Sequence, residues 1–323
     1  MHAAIRVLTA VLTAVLLGAA PASSAEPWPV RPVRILVGFP PGGPPDQVAR
    51  LVAERLEARL RQPVVVENRS GASGTIAAAA VARAEPDGHL LLFGVAANLA
   101  VAPATMRPPP YDPANAFTPI VEIARGPYLW LVRSDAPART MAEFLAWARR
   151  EPGRLNYASP GTGSMHHLAT ERLERVAGVH LVHVPYRGGL YAALIGGDVQ
   201  AMYESMPGPL PHLESGRVRA LAVSGPRRLA SLPDVPTLAE QGIVDADASS
   251  WWGLVGPPGL PRPIVERLNA EVASALSEPA IATTLRGWSI VASPGTPEAF
   301  GVFVAEQARH WRQVAATLGP VPE

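Results

Sequence analysis

Val33-Arg34-Ile35-Leu36-Val37-Gly38-Phe39-Pro40-Pro41-Gly42-Gly43-Pro44-Pro45-Asp46 is the stretch that decides the fold. Its first seven residues are mostly apolar and carry one charge, which predicts a strand buried on both faces. A Pro/Gly turn follows, and Asp46 to Arg61 reads as a helix. Val48, Leu51, Val52, Leu56 and Leu60 fall on one face of it. Arg50/Glu54 and Glu57/Arg61 stand at i,i+4 spacing on the other. A buried strand, a glycine-rich turn and an amphipathic helix in succession are one unit of an α/β layer.

The unit repeats along the chain. Strands are predicted at 64–67, 90–95, 128–132, 155–159, 180–186, 199–203, 218–223 and 251–255. Helices are predicted at 71–83, 141–150, 163–176 and 263–276. A Pro-rich connection runs from Pro103 to Pro113. Thr296-Pro297 opens a last helix, with Thr at the N-cap and Pro at the first helical position. Phe300, Phe303, Val304, Gln307, Trp311, Val314, Ala315 and Leu318 keep its packing stripe. Strands alternating with helices imply an α/β fold with mostly parallel sheets flanked by helices. Composition places soft boundaries at Pro103–Pro113 and Gly225–Pro236.

The amino terminus is read apart from the fold. Met1 to Arg6 carries one positive charge, Val7 to Ala20 is apolar, and Ala25 closes a small-residue site. That is the pattern of a cleavable secretory signal peptide over residues 1–25. An apolar run of about 14 residues is short for a membrane span. Removing Arg6 with the leader leaves 27 basic residues against 27 acidic ones. All of the basic residues are Arg, and they form no stripe, which argues against nucleic acid. The absence of Cys excludes thiolate catalysis, Cys-ligated metals and a lipidated N-terminal cysteine.

Two strand-to-helix turns carry the chemistry. The first is Gly38 to Asp46, and the second is Ser159-Pro160-Gly161-Thr162-Gly163-Ser164. Glycines let backbone N–H groups approach a ligand, and the helix start behind them carries partial positive charge. Each turn suits a carboxylate or phosphate, although each alone is equally an ordinary connection. Both lie at the carboxyl ends of strands, where ligands bind in open α/β sheets. Glu204, after the 199–203 strand, is placed to accept a hydrogen bond from a ligand or to be simply solvated. Trp251 and Trp252 read as packing rather than ligand stacking.

Other chemistries fail on detail. Gly161-Thr162-Gly163-Ser164-Met165-His166 has His where a dinucleotide fingerprint needs its third Gly. Without Lys there is no P-loop. No serine has Gly at both −2 and +2, so the nucleophile elbow of an exported α/β hydrolase of small esters is missing. His166 and His167 point about 100° apart on a helix, and His180 and His183 face opposite sides of a strand. Neither pair suits a metal, and no metal or cofactor is expected. Of the two helical histidines, His167 is taken to cap a turn or line a polar pocket.

The chain resembles the receptors of tripartite tricarboxylate transporters, the Bug-type periplasmic solute-binding family. The resemblance runs through Trp28-Pro29-Val30-Arg31-Pro32-Val33-Arg34, Pro40-Pro41-Gly42-Gly43-Pro44-Pro45-Asp46 and Asn68-Arg69-Ser70-Gly71-Ala72-Ser73-Gly74. It continues in Pro86-Asp87-Gly88-His89, Tyr111-Asp112-Pro113, Tyr157 to Gly163 and His183-Val184-Pro185-Tyr186-Arg187-Gly188. Arg219-Ala220-Leu221-Ala222-Val223 and Leu232-Pro233-Asp234-Val235-Pro236-Thr237 complete it.

The resemblance implies a two-lobed periplasmic-binding-protein fold. One lobe is expected from residues 26–126 plus 226–323 and the other from 127–225. It implies a non-catalytic receptor that takes a small organic carboxylate between the lobes and passes it to an integral-membrane permease, acting as a monomer. A ligand sensor for a membrane signalling protein is not separable from it by sequence. By position, the ligand-binding residues carry over to Phe39, Gly42, Gly43 and Asp46 on one lobe. On the other they carry over to Ser159, Thr162, Gly163, Ser164 and His167. Glu204 stands where the family often has Asp, one methylene shorter. Its acid favours an ammonium or hydroxyl over a second carboxylate at that end of a solute.

Overall fold

The first strand, β1 (Val33–Val37), lies between β2 (Val64–Asn68) and β3 (Leu90–Val95) and is parallel to both. Val33, Ile35, Leu36 and Val37 are all within 1% of complete burial, as a strand covered on both faces requires. The computed structural model describes residues 28–106, 108–112, 115–186, 188–244 and 249–318. The leader over residues 1–25 lies outside them, as does Arg187. Residues 31–323 form one compact unit.

α1 (Pro44–Leu60) packs on β1 and β2, burying Val48, Ala49, Val52, Ala53, Leu56 and Leu60. Its Arg50 pairs with Asp46 one turn earlier. The Ala-rich segment splits into a 3₁₀ turn at Ala72–Gly74 and α2 (Thr75–Ala82). Residues 97–105 are helical, as a π-type turn Ala97–Val101 followed by Ala102–Thr105. The connection read as Pro-rich from Pro103 is therefore helical at its start.

β4 (Thr118–Arg133) organises the rest. Sixteen residues of strand span roughly 50 Å. Its first part, Thr118 to Pro127, pairs antiparallel with β9 (Ser249–Gly256), which pairs in turn with β3. Its last part pairs antiparallel with β7 (Ala201–Ser205) and β8 (Val218–Val223). β7 runs parallel to β5 (Asn156–Ser159), and β5 to β6 (Val182–Pro185). The order is β2-β1-β3-β9-β4-β7-β5-β6, with β8 and the short β10 (Val291–Ala292) also on β4. The parallel pairs lie toward the two ends, and the antiparallel pairs meet around β4 and β9.

Helices cover this sheet: α3 (Met141–Arg150), α4 (Met165–Ala177), α5 (Leu190–Gly196), α6 (Leu210–Glu214), α7 (Arg262–Leu276), α8 (Pro279–Gly287) and α9 (Pro297–Leu318). Thr140 caps α3 through the Glu143 N–H, and Thr296 caps α9 through the Ala299 N–H at 3.2 Å. α9 buries Phe300 and Trp311, with Trp251 of β9 edge-on to Phe300 at 6.1 Å. No described helix is long and apolar enough to cross a membrane.

Candidate functional site

The first turn is tied from behind by Asp46. Its side chain is 2% exposed as a residue and accepts hydrogen bonds from Gly42 N–H (2.9 Å), Arg50 Nε (2.9 Å) and Asn68 Nδ2 (2.8 Å). Asn68 also donates to the Phe39 carbonyl at 3.0 Å. Burial alone would raise the Asp46 carboxyl, but bonds from Arg50, Gly42 and Asn68 outweigh it and hold the pKa below the usual range. Gly42 takes φ +77°, a conformation that favours glycine. Pro44 and Pro45 open the helix and have no N–H to offer a ligand. Gly43 N–H donates to the Pro40 carbonyl.

The second turn is tied by its own helix. Gly163, at φ +73°, donates its N–H to His167 Nδ1 at 3.1 Å. Ser164 caps α4, accepting the His167 N–H at 3.3 Å. Gly161 N–H donates to Ser159 Oγ at 3.1 Å, and that hydroxyl shares a 2.5 Å hydrogen bond with His183 Nε2. The His183 ring stacks on His167 (4.1 Å) and on Tyr157 (5.1 Å). Burial lowers the His183 pKa to about 4, helped by His167 and opposed by Glu171. Ser159 and Ser164 are fully buried, so neither hydroxyl is presented to a substrate.

A cleft of about 250 Å³ opens where the two turns meet the middle of the sheet. Phe39 to Pro45 line it from the first turn, and Pro160, Met165 and His166 from the second. Val95 to Ala97, Tyr128, Gly188 to Ala192, Glu204, Ser205 and Ser250 to Trp252 complete it. Of the sequence-predicted residues, Phe39, Gly42, Gly43 and Glu204 come together here. Asp46, Ser159, Thr162, Gly163, Ser164 and His167 are not among the lining residues; they sit behind the turns, in the bonds just described, apart from Thr162. Thr162 instead accepts, through its carbonyl, the Ser73 hydroxyl at 3.2 Å.

The cleft's polar centre is Glu204, which is 6% exposed. Its Oε1 accepts from Ser205 N–H (2.8 Å) and Ser205 Oγ (3.3 Å) and lies 3.0 Å from His166 Nε2. His166 stands edge-on to Tyr128 at 5.2 Å, and Tyr128 stacks on Tyr203 at 5.1 Å. Burial raises the Tyr128 and Tyr191 hydroxyls well above their usual pKa, and the nearby Glu204 charge adds to it. Both phenols therefore stay protonated. Sequence reasoning missed His166, Tyr128, Tyr191 and the Trp251–Trp252 pair as site residues. The adjacent histidines were a signal, since only one of two side chains 100° apart can face a cleft. His166 does.

The segment Gly71 to Gly74 stands between the turns. Four successive residues have positive φ, including Ala72 (46°) and Ser73 (55°). It packs so closely on the first turn that a Cβ at Gly38 would lie 2.5 Å from the Gly74 Cα.

Comparison with known proteins gives a consistent neighbourhood. Residues 48–319 match the family described as tripartite tricarboxylate transporter family receptor. The periplasmic binding protein BugD is similar at 32% identity and a TM-score of 0.87, covering 92% of this chain and 100% of that one. MatC from Rhodopseudomonas palustris, solved with malate, is similar at 34% identity and a TM-score of 0.85, covering 89% and 100%. The R. palustris protein Rpa4515, solved with adipate, reaches 36% identity and a TM-score of 0.88, covering 92% and 100%.

Proposed function

Because the chain belongs to the tripartite tricarboxylate transporter receptor family, whose members are periplasmic solute-binding receptors rather than enzymes, we propose that its cleft captures a small organic carboxylate for delivery to a membrane permease. One observation carries the reading: two strand-to-helix turns, from opposite halves of the sheet, line one cleft of about 250 Å³. That is near the lower end of ligand pockets, roughly 300–1,000 Å³, and fits a small solute. Relatives of the same fold hold malate and adipate.

A carboxylate in this cleft meets the amino ends of α1 and α4. Each helix end offers about 0.3–2 kcal/mol to an anion. The two are not equivalent. α1 begins with two prolines, so it contributes its dipole more than its amides. α4 begins with Met165 and His166, which line the cleft and carry N–H groups at the first helical positions.

Closure follows from β4. The family resemblance implies one lobe from 26–126 with 226–323 and another from 127–225, and β4 changes partners at that boundary, between Pro127 and Tyr128. Hinge motion there brings the turns together over the solute. The Ser73–Thr162 hydrogen bond joins the two lobes in the closed form. The receptor acts as a monomer in the periplasm, exported by the leader that ends near Ala25.

A thermal-shift screen of small carboxylates tests this. A ligand at 100 times its Kd adds about 2.7 kcal/mol, a rise of roughly 4 °C for a chain of about 300 residues. Saturable ester hydrolysis by the purified chain would replace the receptor reading with a hydrolase.

A further inference from the structure

The chemistry around Glu204 restricts the solute further, given the receptor reading above. The walls of the cleft are aromatic and apolar: Phe39, Tyr128, Tyr191, Trp251, Trp252 and Met165. Against them stands one carboxylate, Glu204, nearly buried and rigidly held. Three donor groups converge on its Oε1: Ser205 N–H, Ser205 Oγ and His166 Nε2. They orient the carboxylate. Among the described residues, no Arg lines the cleft, and the chain has no Lys. The one cationic candidate on the wall, His166, is already hydrogen-bonded to Glu204.

A solute with a second carboxylate would therefore place it in an apolar cleft facing an acid, with no free cation among the described lining residues to receive it. Burying like charges together is unfavourable, and a buried acid requires a donor instead.

We infer that this receptor selects a monocarboxylate with an apolar body whose far end presents a hydrogen-bond donor, an ammonium or hydroxyl, to Glu204. Glu204 is the specificity-determining residue, and His166 is its positioning residue. A dicarboxylate is disfavoured at this end of the cleft by the same group.

Two matched ligand pairs test the inference on the full mature chain by calorimetry. The first is 6-aminohexanoate against adipate. The second is 4-hydroxybenzoate against terephthalate. Within each pair the body is shared and only the far end changes. The donor-ended member is expected to bind at least tenfold more tightly. In Glu204→Gln that gap should close, with the ammonium ligand weakened tenfold or more and the dicarboxylate strengthened. Glu204→Asp, which keeps the charge, should retain the order of preference, and it serves if the Gln variant folds poorly. Tighter binding of the dicarboxylate member by the wild-type chain overturns the inference and leaves the receptor reading standing. An unchanged gap in Glu204→Gln overturns the role of Glu204. Absence of binding by any mono- or dicarboxylate in a wider panel removes the receptor reading and this inference with it.

Discussion

Replacing Asp46 should damage both stability and binding, although the side chain does not line the cleft. Its carboxylate accepts three hydrogen bonds, from Gly42 N–H, Asn68 Nδ2 and Arg50 Nε, at 2.8–2.9 Å. Hydrogen bonds to a charged group contribute about 1.5–3 kcal/mol each. Arg50 is 52% exposed at its side chain, so solvent reduces its share to at most about 1 kcal/mol. Water can reach the Gly42 amide once the acid is gone, which favours the lower end for that bond. Asp46→Ala should therefore cost about 3–5 kcal/mol. Asp46→Asn keeps the volume and one acceptor and should cost about 1–2 kcal/mol. Urea unfolding followed by tryptophan fluorescence measures both, as a fall in midpoint at constant slope. The pH dependence is diagnostic. The Asp46 pKa is depressed in the folded state, so its contribution is complete above the unfolded value, about 3.9. It is lost as pH falls through the lower folded value. The gap between wild type and Asp46→Asn should be full at pH 7 and narrow below about pH 4. Solute affinity should fall in parallel, because Asp46 fixes Gly42 directly and Phe39 through Asn68. A gap that is equal at pH 7 and pH 3, or an Ala variant within 0.5 kcal/mol of wild type, a margin usual for surface changes, would refute the assignment.

Ser73→Ala removes the bond to the Thr162 carbonyl and should weaken solute binding roughly fivefold, about 1 kcal/mol, while Ser73→Gly also relieves a left-handed residue that costs about 1–2 kcal/mol and should melt higher than Ser73→Ala; equal affinities in calorimetry would dismiss a latch. His183, depressed to about 4 by burial, must be neutral when folded, so its contribution is complete above about pH 6.5 and is lost as pH falls toward 4. His183→Gln should flatten that part of the stability–pH curve by about 2 kcal/mol, allowing for its partial exposure. Glu174, raised to about 7 by burial despite a bond from Leu181 N–H, acts in the opposite sense, since ionising it destabilises the fold as pH rises from about 4.5 to 7. Glu174→Gln should gain about 1–3 kcal/mol at pH 8 and nothing below pH 4. The two wild-type slopes oppose each other between about pH 4.5 and 6.5, so differences between each variant and wild type are the measurement to make.

The sequence exposes those strands that are short apolar runs set off by turn residues. β1, β2, β3 and β8 are short apolar runs between turn residues, and they appear in the structure within two residues of their expected ends. The first part of β4 was hidden by Pro119, Glu122, Gly126 and Pro127, which break any strand pattern, although Ile120, Val121, Ile123 and Ala124 are fully buried. Pairing with β9, visible only in three dimensions, holds that segment extended. α5 and α8 are short, and seven to nine residues give periodicity too little length to register. The helical segment 97–105 was masked by Pro103, which is tolerated near the start of its second part.

The site divides along the same line. Its two turns are local, and glycine and proline announce them in the sequence. Its walls are not local. Register around the point where β4 changes partners places Tyr128 opposite Ser205, Leu129 opposite Glu204, Arg125 opposite Trp251 and Gly126 opposite Ser250. Nothing in a strand's own sequence states which residue of a distant strand it will face. That register makes Gly126 to Tyr128 the crossing between the two halves of the sheet, and its last residue, Tyr128, a wall of the cleft. A solute that packs on Tyr128 therefore bears on the proposed hinge itself. Binding and closure then share one free energy, and a change that stiffens the crossing must alter affinity even where it touches no solute.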